Sequence, residues 1–241
     1  MKNKIFIGCS GFSERLWKGL FYPEELPTKN YLNYYSKYLN AVEINSTFYR
    51  KPTLTTMEKW YHDTDGDFKF FIKIPKAITH IKKLVDTEKD TVEFCQHISG
   101  GLKDKLAGFL FQFPPSFQFS KGNLEKILKT VDKFSLNVVE FRHHSWWIPE
   151  VYEILKMENI IFSGVSIPKD ISDDFIINNE YFIYYRLHGL PLMFKSEYTE
   201  NDLNNLANKI KDCNRTTFIF FNNTYGIAGI KNALYLKDQL L

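Results

Sequence analysis

The hydrophobic positions of this chain fall into eight short runs, each bounded by turn residues. The runs are rich in Ile, Val, Phe and Tyr, which favour strands. Several are almost continuously apolar, as is typical of parallel strands covered on both faces. The predicted strands span residues 4–9, 41–44, 69–74, 108–113, 138–141, 160–165, 182–187 and 217–221.

Stretches with helical spacing of apolar residues lie between most of these runs. The best defined begins at Thr199, because the sequence Thr199-Glu200-Asn201-Asp202 resembles a capping box. An acidic, irregular segment at 166–180 leaves no room for a full helix, so a missing or single-turn helix is expected there. The predicted helices span residues 28–39, 53–61, 87–102, 121–134, 149–157, 199–212 and 227–240.

Eight strands that alternate with about seven helices predict an α/β fold of the TIM-like (β/α)8 type, with a degenerate or missing helix after strand six. The length of 241 residues fits one such domain, spanning 1–241. A doubly wound open sheet has the same local pattern. The absence of a GxGxxG or Walker-type loop disfavours that nucleotide-binding alternative.

Composition narrows the class of protein. The net charge of +3 is too small to indicate nucleic-acid binding by itself. The three cysteines are far apart and in no CxxC spacing, which indicates a reducing compartment and no cysteine-based zinc site. The N-terminal apolar run is too short for a signal peptide, and no apolar stretch is long enough to span a membrane. We therefore expect a cytoplasmic protein.

Polar side chains recur where the predicted strands end, which is where α/β barrels build their active sites. Lys73, Arg142 and Arg186 would line a cationic pocket suited to a phosphate or carboxylate. The predicted catalytic residues are Glu43, Glu140, His188, His80 and Lys73. The predicted substrate-binding residues are Ser10, Trp17, Asn45, Thr47, Tyr49, Gln112, Arg142, Trp146, Arg186, Asn222 and Asn223. We expect no metal and no cofactor.

Structural roles compete with these assignments. Glu140 with Arg142 or Arg186 also fits an ion pair that closes the top of the barrel, and His80 also fits a loop histidine satisfied by its neighbours. Glu43 and Glu140 fit an acid–base pair as well, but their separation cannot be read from sequence.

Seven sequence blocks resemble, in order, the YecE-like family, also called domain of unknown function 72. They are IGCSGF followed by Trp17-Lys18-Gly19 and Phe21-Tyr22-Pro23, then VEINSTFYRKP, KIPKAITH, KLAGFLFQFPPSF, VEFRHHSWW, YYRLHG and FNNTYGIAGIKNA. The resemblance covers essentially the whole chain and implies a TIM-barrel-like fold without an established reaction. It also implies an Asp after the sixth strand, where this chain has Ser166.

Three functions fit these observations. The first is an enzyme that acts on a small anionic substrate by general acid–base chemistry. The second is a nucleic-acid-binding or nucleic-acid-processing protein, with Trp17, Tyr49, Trp146 and Trp147 stacking on bases. The third is a barrel that binds a ligand without chemistry. The oligomeric state is left open.

Overall fold

Parallel strands dominate the fold. The computed structural model describes residues 4–131, 135–168, 171, 175–177 and 179–241. Within these residues there are nine strands, whose bounds follow the predicted runs closely. They are β1 (Ile5–Cys9), β2 (Ala41–Ile44), β3 (Lys69–Lys73), β4 (Leu106–Gln112), β5 (Asn137–Glu140), β6 (Ile160–Phe162), β7 (Gly164–Ser166), β8 (Phe182–Leu187) and β9 (Thr216–Phe221).

The described strands form two parallel sheets, in the orders β1-β9-β8-β7 and β2-β3-β4-β5-β6. Only Ser163 separates β6 from β7, so the two strands are halves of the sixth predicted run. β6 pairs with β5, and β7 pairs with β8. The sixth run therefore changes partner at Ser163 and links the two sheets. The predicted parallel α/β class is confirmed, although the ladder of backbone hydrogen bonds is not closed.

Side chains connect the other pair of neighbouring edges, β1 and β2. The Asn40 amide accepts a hydrogen bond from the Ile7 N–H and donates one to the Ile5 carbonyl, each at 2.8 Å. The Tyr35 hydroxyl accepts from the Cys9 N–H and donates to the Ala41 carbonyl. These two side chains satisfy backbone groups that no strand partner reaches.

Helices follow most strands, and local sequence explains where they begin. They are α1 (Tyr31–Ser36), α2 (Leu54–His62), α3 (Glu88–Leu102), α4 (Lys121–Thr130), α5 (Pro149–Met157), α6 (Glu200–Asp212) and α7 (Ala228–Leu240). The predicted capping box is present, since the Thr199 and Asp202 side chains each accept from the other's backbone N–H. α5 has its predicted bounds, whereas α1 is shorter because Thr28–Asn30 forms a 3₁₀ turn.

Two helix predictions reach beyond the described residues. The predicted helix 121–134 ends at Thr130, and residues 132–134 lie outside the described part of the chain. In the segment 166–180 the described residues after Ser166 form no helix, while 169, 170, 172–174 and 178 lie outside it. Among the described residues, none of the helices has the length and hydropathy of a membrane span.

Alternation along the strands positions the candidate site. An inner apolar layer is formed by side chains from both sheets, namely Phe6, Ala41, Phe71, Leu110, Val138, Ile161, Tyr184, Phe218 and Phe220. The residues between them pack toward the helices. Two positions further along β2, β5 and β8 the same inward direction is taken by Glu43, Glu140 and Arg186. The strands therefore place a charged layer directly beyond the inner apolar layer.

Candidate functional site

A buried arginine joins two buried carboxylates at the carboxyl ends of the strands. The Arg186 guanidinium donates from Nη2 to Glu43 Oε1 and from Nη1 to Glu140 Oε2, each at 2.6 Å. Glu43 also accepts from the Ser10 hydroxyl at 2.7 Å and from the Tyr184 hydroxyl. Glu43, Glu140 and Arg186 are all 0% exposed. We call these three residues the charged layer.

Arg142 and His188 extend the charged layer toward the surface. The Arg142 Nε donates to Glu140 Oε1, and its Nη2 lies 3.1 Å from His188 Nε2. Because a guanidinium can only donate, Nε2 accepts and the ring proton of His188 lies on Nδ1. Nδ1 is 2.8 Å from the Asn222 side-chain amide. We assign the amide oxygen to that side so that it accepts this proton.

The remaining donor group of Arg142 has a weak partner. Nη1 lies 3.8 Å from the thioether sulfur of Met193. Sulfur of this kind accepts hydrogen bonds poorly compared with an anionic oxygen. The Arg142 side chain is 9% exposed, so it is the part of this arginine network that lies nearest to solvent.

The charges of the network explain its protonation states. Burial raises the pKa of Glu140, but the positive charges of Arg142 and Arg186 outweigh burial and hold that pKa well below its ordinary value. Burial, together with the charge of Arg142, lowers the pKa of His188 to about 3, so the ring is neutral at pH 7. Two carboxylates thus balance two guanidinium groups. The deep part of the predicted cationic pocket is close to electrically neutral.

Lys73 differs from the two arginines. Its Nζ donates to Gln112 Oε1 at 2.9 Å and lies 4.2 Å from the centre of the Phe48 ring. Among the described residues no carboxylate lies within ion-pair distance of it. Burial and the neighbouring charge of Arg186 lower its pKa to about 8. Lys73 is therefore a half-buried cation at the end of β3 that has no ion-pair partner among the described residues, although the charges of Glu140 and Glu43 act on it from further away.

His80 lies beside Lys73. Its ring packs edge-on against Phe48, with the ring centres 4.8 Å apart, and its Nδ1 is 2.9 Å from the Thr79 hydroxyl. Burial and the charge of Lys73 lower the pKa of His80 to about 4, so this ring too is neutral at pH 7. Arg142 contributes to lowering the pKa of both Lys73 and His80, which places the three groups within electrostatic range.

A cleft of about 460 Å³ opens beside the charged layer. Ser10 lines this cleft and donates to Glu43. Asn45 and Tyr49 also line it, and Tyr49 is 82% exposed. The side-chain oxygen of Asn45 is buried without a hydrogen-bond partner among the described residues. These features give the cleft polar groups that a ligand can satisfy.

Four predicted site residues have structural contacts instead. The Trp17 and Trp146 indoles are buried in the core and donate to the carbonyls of Gly226 and Phe117. The Thr47 hydroxyl lies within hydrogen-bond distance of the Ile44 and Lys73 carbonyls. Asn223 is buried and donates to the Ser196 carbonyl and the Asn232 side chain. Base stacking by Trp17 or Trp146 would require them to leave the core.

Ser166 lies on the outer face of the sheet, away from the charged layer. It pairs with Leu187, whose side chain packs toward the helices, and its hydroxyl accepts from Tyr198 at 2.8 Å.

Neither Tyr184 nor Phe48 was among the predicted site residues, although Tyr184 contacts Glu43 and Phe48 contacts Lys73 and His80. The alternation of side chains along β8 places Tyr184 on the same face as Arg186, and this sequence signal could have identified Tyr184 as a site residue.

Within the described residues no group of three or more His, Cys, Asp or Glu side chains is arranged to hold a metal ion.

Comparisons with known proteins agree on one family. The model of the family described as "Protein of unknown function DUF72" matches residues 6–241. The UPF0759 protein YunF of Bacillus subtilis is 28% identical in an alignment of 176 positions that covers 68% of this chain and 61% of YunF. The crystal structure of a DUF72 family protein from Thermotoga maritima is 32% identical, with a TM-score of 0.87 over 98% of both chains.

A second curated relative matches a shorter part of the chain. The UPF0759 protein YecE of Escherichia coli K12 is 28% identical over 113 residues, which are 47% of this chain and 39% of YecE. The matches thus span about three fifths of YunF and two fifths of YecE.

Proposed function

The chain belongs to the DUF72 family of proteins of unknown function, and we propose that it is an enzyme acting on a small anionic substrate by general acid–base chemistry. The substrate carries a phosphate or carboxylate group, which binds between Lys73 and Arg142. His80 is the general acid–base group that exchanges a proton with the substrate. Glu43 and Glu140 act through Arg186 and Arg142, whose positions they hold.

The main observation behind this proposal is the environment of the Lys73 ammonium group. Its ammonium group is half-buried at the strand ends with an amide and an aromatic ring as partners. Burial of the Lys73 ammonium group lowers its pKa, and side chains with strongly perturbed pKa values are concentrated at functional sites. An anion bound there would supply the missing counter-charge.

His80 is suited to proton exchange once the anion is bound. The positive charge of Lys73 is a cause of its lowered pKa, after burial. An anion on Lys73 would offset this charge and move the pKa of His80 back toward neutrality, where a general base works best. His188 is less suited, because both of its ring nitrogens already face protein partners.

Replacing Lys73 with Met should weaken anion binding by at least tenfold, because Met keeps the apolar length of the side chain and removes its charge. Thermal unfolding with increasing phosphate or acetate measures this affinity, since a ligand at 100 times its dissociation constant stabilises a protein by about 2.7 kcal/mol. The exposed Lys29 offers a matched control, and Lys29→Met should bind like the wild type. Equal affinity in Lys73→Met and the wild type would contradict the assignment.

The same titration should depend on pH. Lys73 is protonated below its pKa of about 8 and neutral above it, so wild-type affinity should fall as the pH rises from 7 to 9. A lysine with the ordinary pKa of about 10.4 would stay charged over that range. Lys73→Arg should therefore bind the anion equally well at pH 7 and pH 9.

Replacing His80 with Gln should abolish turnover and leave anion affinity within about twofold, because Gln keeps hydrogen-bonding groups but cannot act as a base near neutrality. Mixtures of phosphorylated and carboxylated metabolites are incubated with each variant, and their consumption is followed by mass spectrometry. His62→Gln, on the C-terminal turn of α2, is the control and should retain activity. Anion binding without consumption of any compound by the wild type would favour the non-catalytic ligand-binding function.

A further inference from the structure

We infer that the substrate joins its anionic group to an aromatic ring, and that this ring packs against Phe194 at the rim of the site. The inference rests on the proposed function and adds the class of substrate. It comes from the loop that follows β8, residues 188–198, which brings Met193 and Phe194 to Arg142 and His188.

Two consecutive residues of this loop contact the site. The Met193 sulfur lies on Arg142 Nη1 at 3.8 Å, and the Phe194 ring stands at 80° to the His188 ring with centres 6.0 Å apart. A carboxylate or phosphate oxygen is a far better partner for a guanidinium N–H than a thioether is. The anionic group of the substrate would therefore replace the Met193 sulfur at Nη1. A group attached to that anion would then lie beside Phe194.

The backbone of Phe194 is held on two sides. Its N–H donates to the His188 carbonyl, and its carbonyl accepts from the Tyr225 N–H at 3.0 Å. Its φ is +69°, in the left-handed region that bulky residues rarely adopt. Such conformations persist where surrounding contacts impose them, and they are concentrated at ligand sites.

Burial of the Phe194 side chain does not offset the free-energy cost of this backbone conformation, because the residue is 43% exposed. Leu192 and Tyr225, which adjoin it, are 63% and 65% exposed. A single exposed apolar residue needs no explanation, but three together beside a charged site are typical of a surface that binds a ligand. The Tyr225 ring is already covered by the Lys195 ammonium at 4.8 Å. The Phe194 ring, which contacts the His188 ring, is an aromatic group at this edge of the site that can receive a ligand ring.

The test compares anions with and without a ring, using acetate against benzoate and inorganic phosphate against phenyl phosphate. Affinities are measured by thermal unfolding of the intact protein. We expect the wild type to bind each aromatic anion at least tenfold more tightly than its small counterpart. Phe194→Ala should remove this difference and keep the affinity for acetate and phosphate. Tyr181→Ala, at a position that is 67% exposed and lies before the amino-terminal end of β8, opposite the strand ends that carry the site, should keep the difference.

A second variant separates ligand contact from a structural role. Phe194→Gly relieves the left-handed backbone, so it should be at least as stable as Phe194→Ala, yet it should show the same loss of preference for aromatic anions. Equal affinity of the wild type for benzoate and acetate would overturn the inference while leaving the proposed function standing. The absence of binding by any of the four anions would overturn both.

Discussion

Replacing Arg186 with Met should destabilise the protein by about 3–5 kcal/mol at pH 7, which is the cost of removing one partner from a buried ion pair. Met matches the aliphatic part of the Arg side chain but ends short of the two carboxylates, so the loss includes the charge, the hydrogen bonds and the space of the guanidinium. Without the guanidinium, the donors left to Glu43 among the described residues are the hydroxyls of Ser10 and Tyr184, and Glu140 keeps Arg142. Urea unfolding measures the free energy of unfolding of both proteins.

The pH dependence of the free energy of unfolding identifies the cause of this loss of stability. Because Arg142 and Arg186 depress the folded-state pKa of Glu140, this carboxylate stabilises the folded state above its unfolded pKa of about 4.3, and the stabilisation is lost as the pH falls further. In Arg186→Met, Glu140 loses one of the two positive charges that depress its pKa, so it takes up a proton at a higher pH than in the wild type. The difference in stability between the two proteins should therefore shrink as the pH falls to about 4.3 and below.

A matched surface change provides the control for Arg186. Arg15 is exposed in a short 3₁₀ turn, and Arg15→Met should change the free energy of unfolding by no more than about 0.5 kcal/mol. A cost below about 1 kcal/mol for Arg186→Met would mean that the two carboxylates find other partners, contrary to the fully buried geometry. A difference that stays constant as the pH falls well below about 4.3 would exclude Glu140 as its origin.

Replacing Gly8 with Ala should be the second large effect, with a cost of about 3 kcal/mol, at the upper end of what overpacking usually produces. A β-carbon at Gly8 would lie 2.0 Å from the Ala41 carbonyl oxygen on β2. The contact is with backbone, so β1 and β2 must separate. Their separation would also stretch the hydrogen bonds from Asn40 and Tyr35 that connect these edges.

Gly100 is the natural comparison, because it lies in α3 and nothing stands within 4 Å of an added β-carbon there. Gly100→Ala should stabilise the protein by about 0.5–1 kcal/mol through helix propensity. If the two variants unfold at the same urea concentration, the close approach of β1 and β2 at Gly8 would not restrict residue size. The thermal midpoint of each variant gives an independent measurement.

Strands and helices could be predicted well because their signals are local. β2, β8 and α5 have the predicted bounds, and Thr53 and Thr199 cap α2 and α6 as their positions indicated. The interruption at Ser163 could not be predicted, because it arises where the sixth run changes partner from β5 to β8. No local preference records which strand lies alongside another.

The candidate site was predicted in part. Lys73, Glu43, Glu140 and Arg186 were selected because charged residues within apolar runs need partners, and all four lie at the strand ends. Trp17 and Trp146 were selected for their chemistry, yet their side chains face the core. No sequence signal shows whether the side chain of a tryptophan in a loop region faces the core or a binding site.

The sequence by itself determined which side chains of each strand face inward, because side-chain direction alternates along a strand whatever its neighbours are. It therefore determined that charge would collect beyond the inner apolar layer. Only the tertiary structure decided which charges meet. Glu43 and Arg186 are 143 residues apart, and the order and register of the strands bring them to 2.6 Å. Among the described residues, that pairing neutralises Arg186 and leaves Lys73, together with the outer Nη1 of Arg142, available to a ligand, since electrostatic energy depends on distance in space and not on distance along the chain.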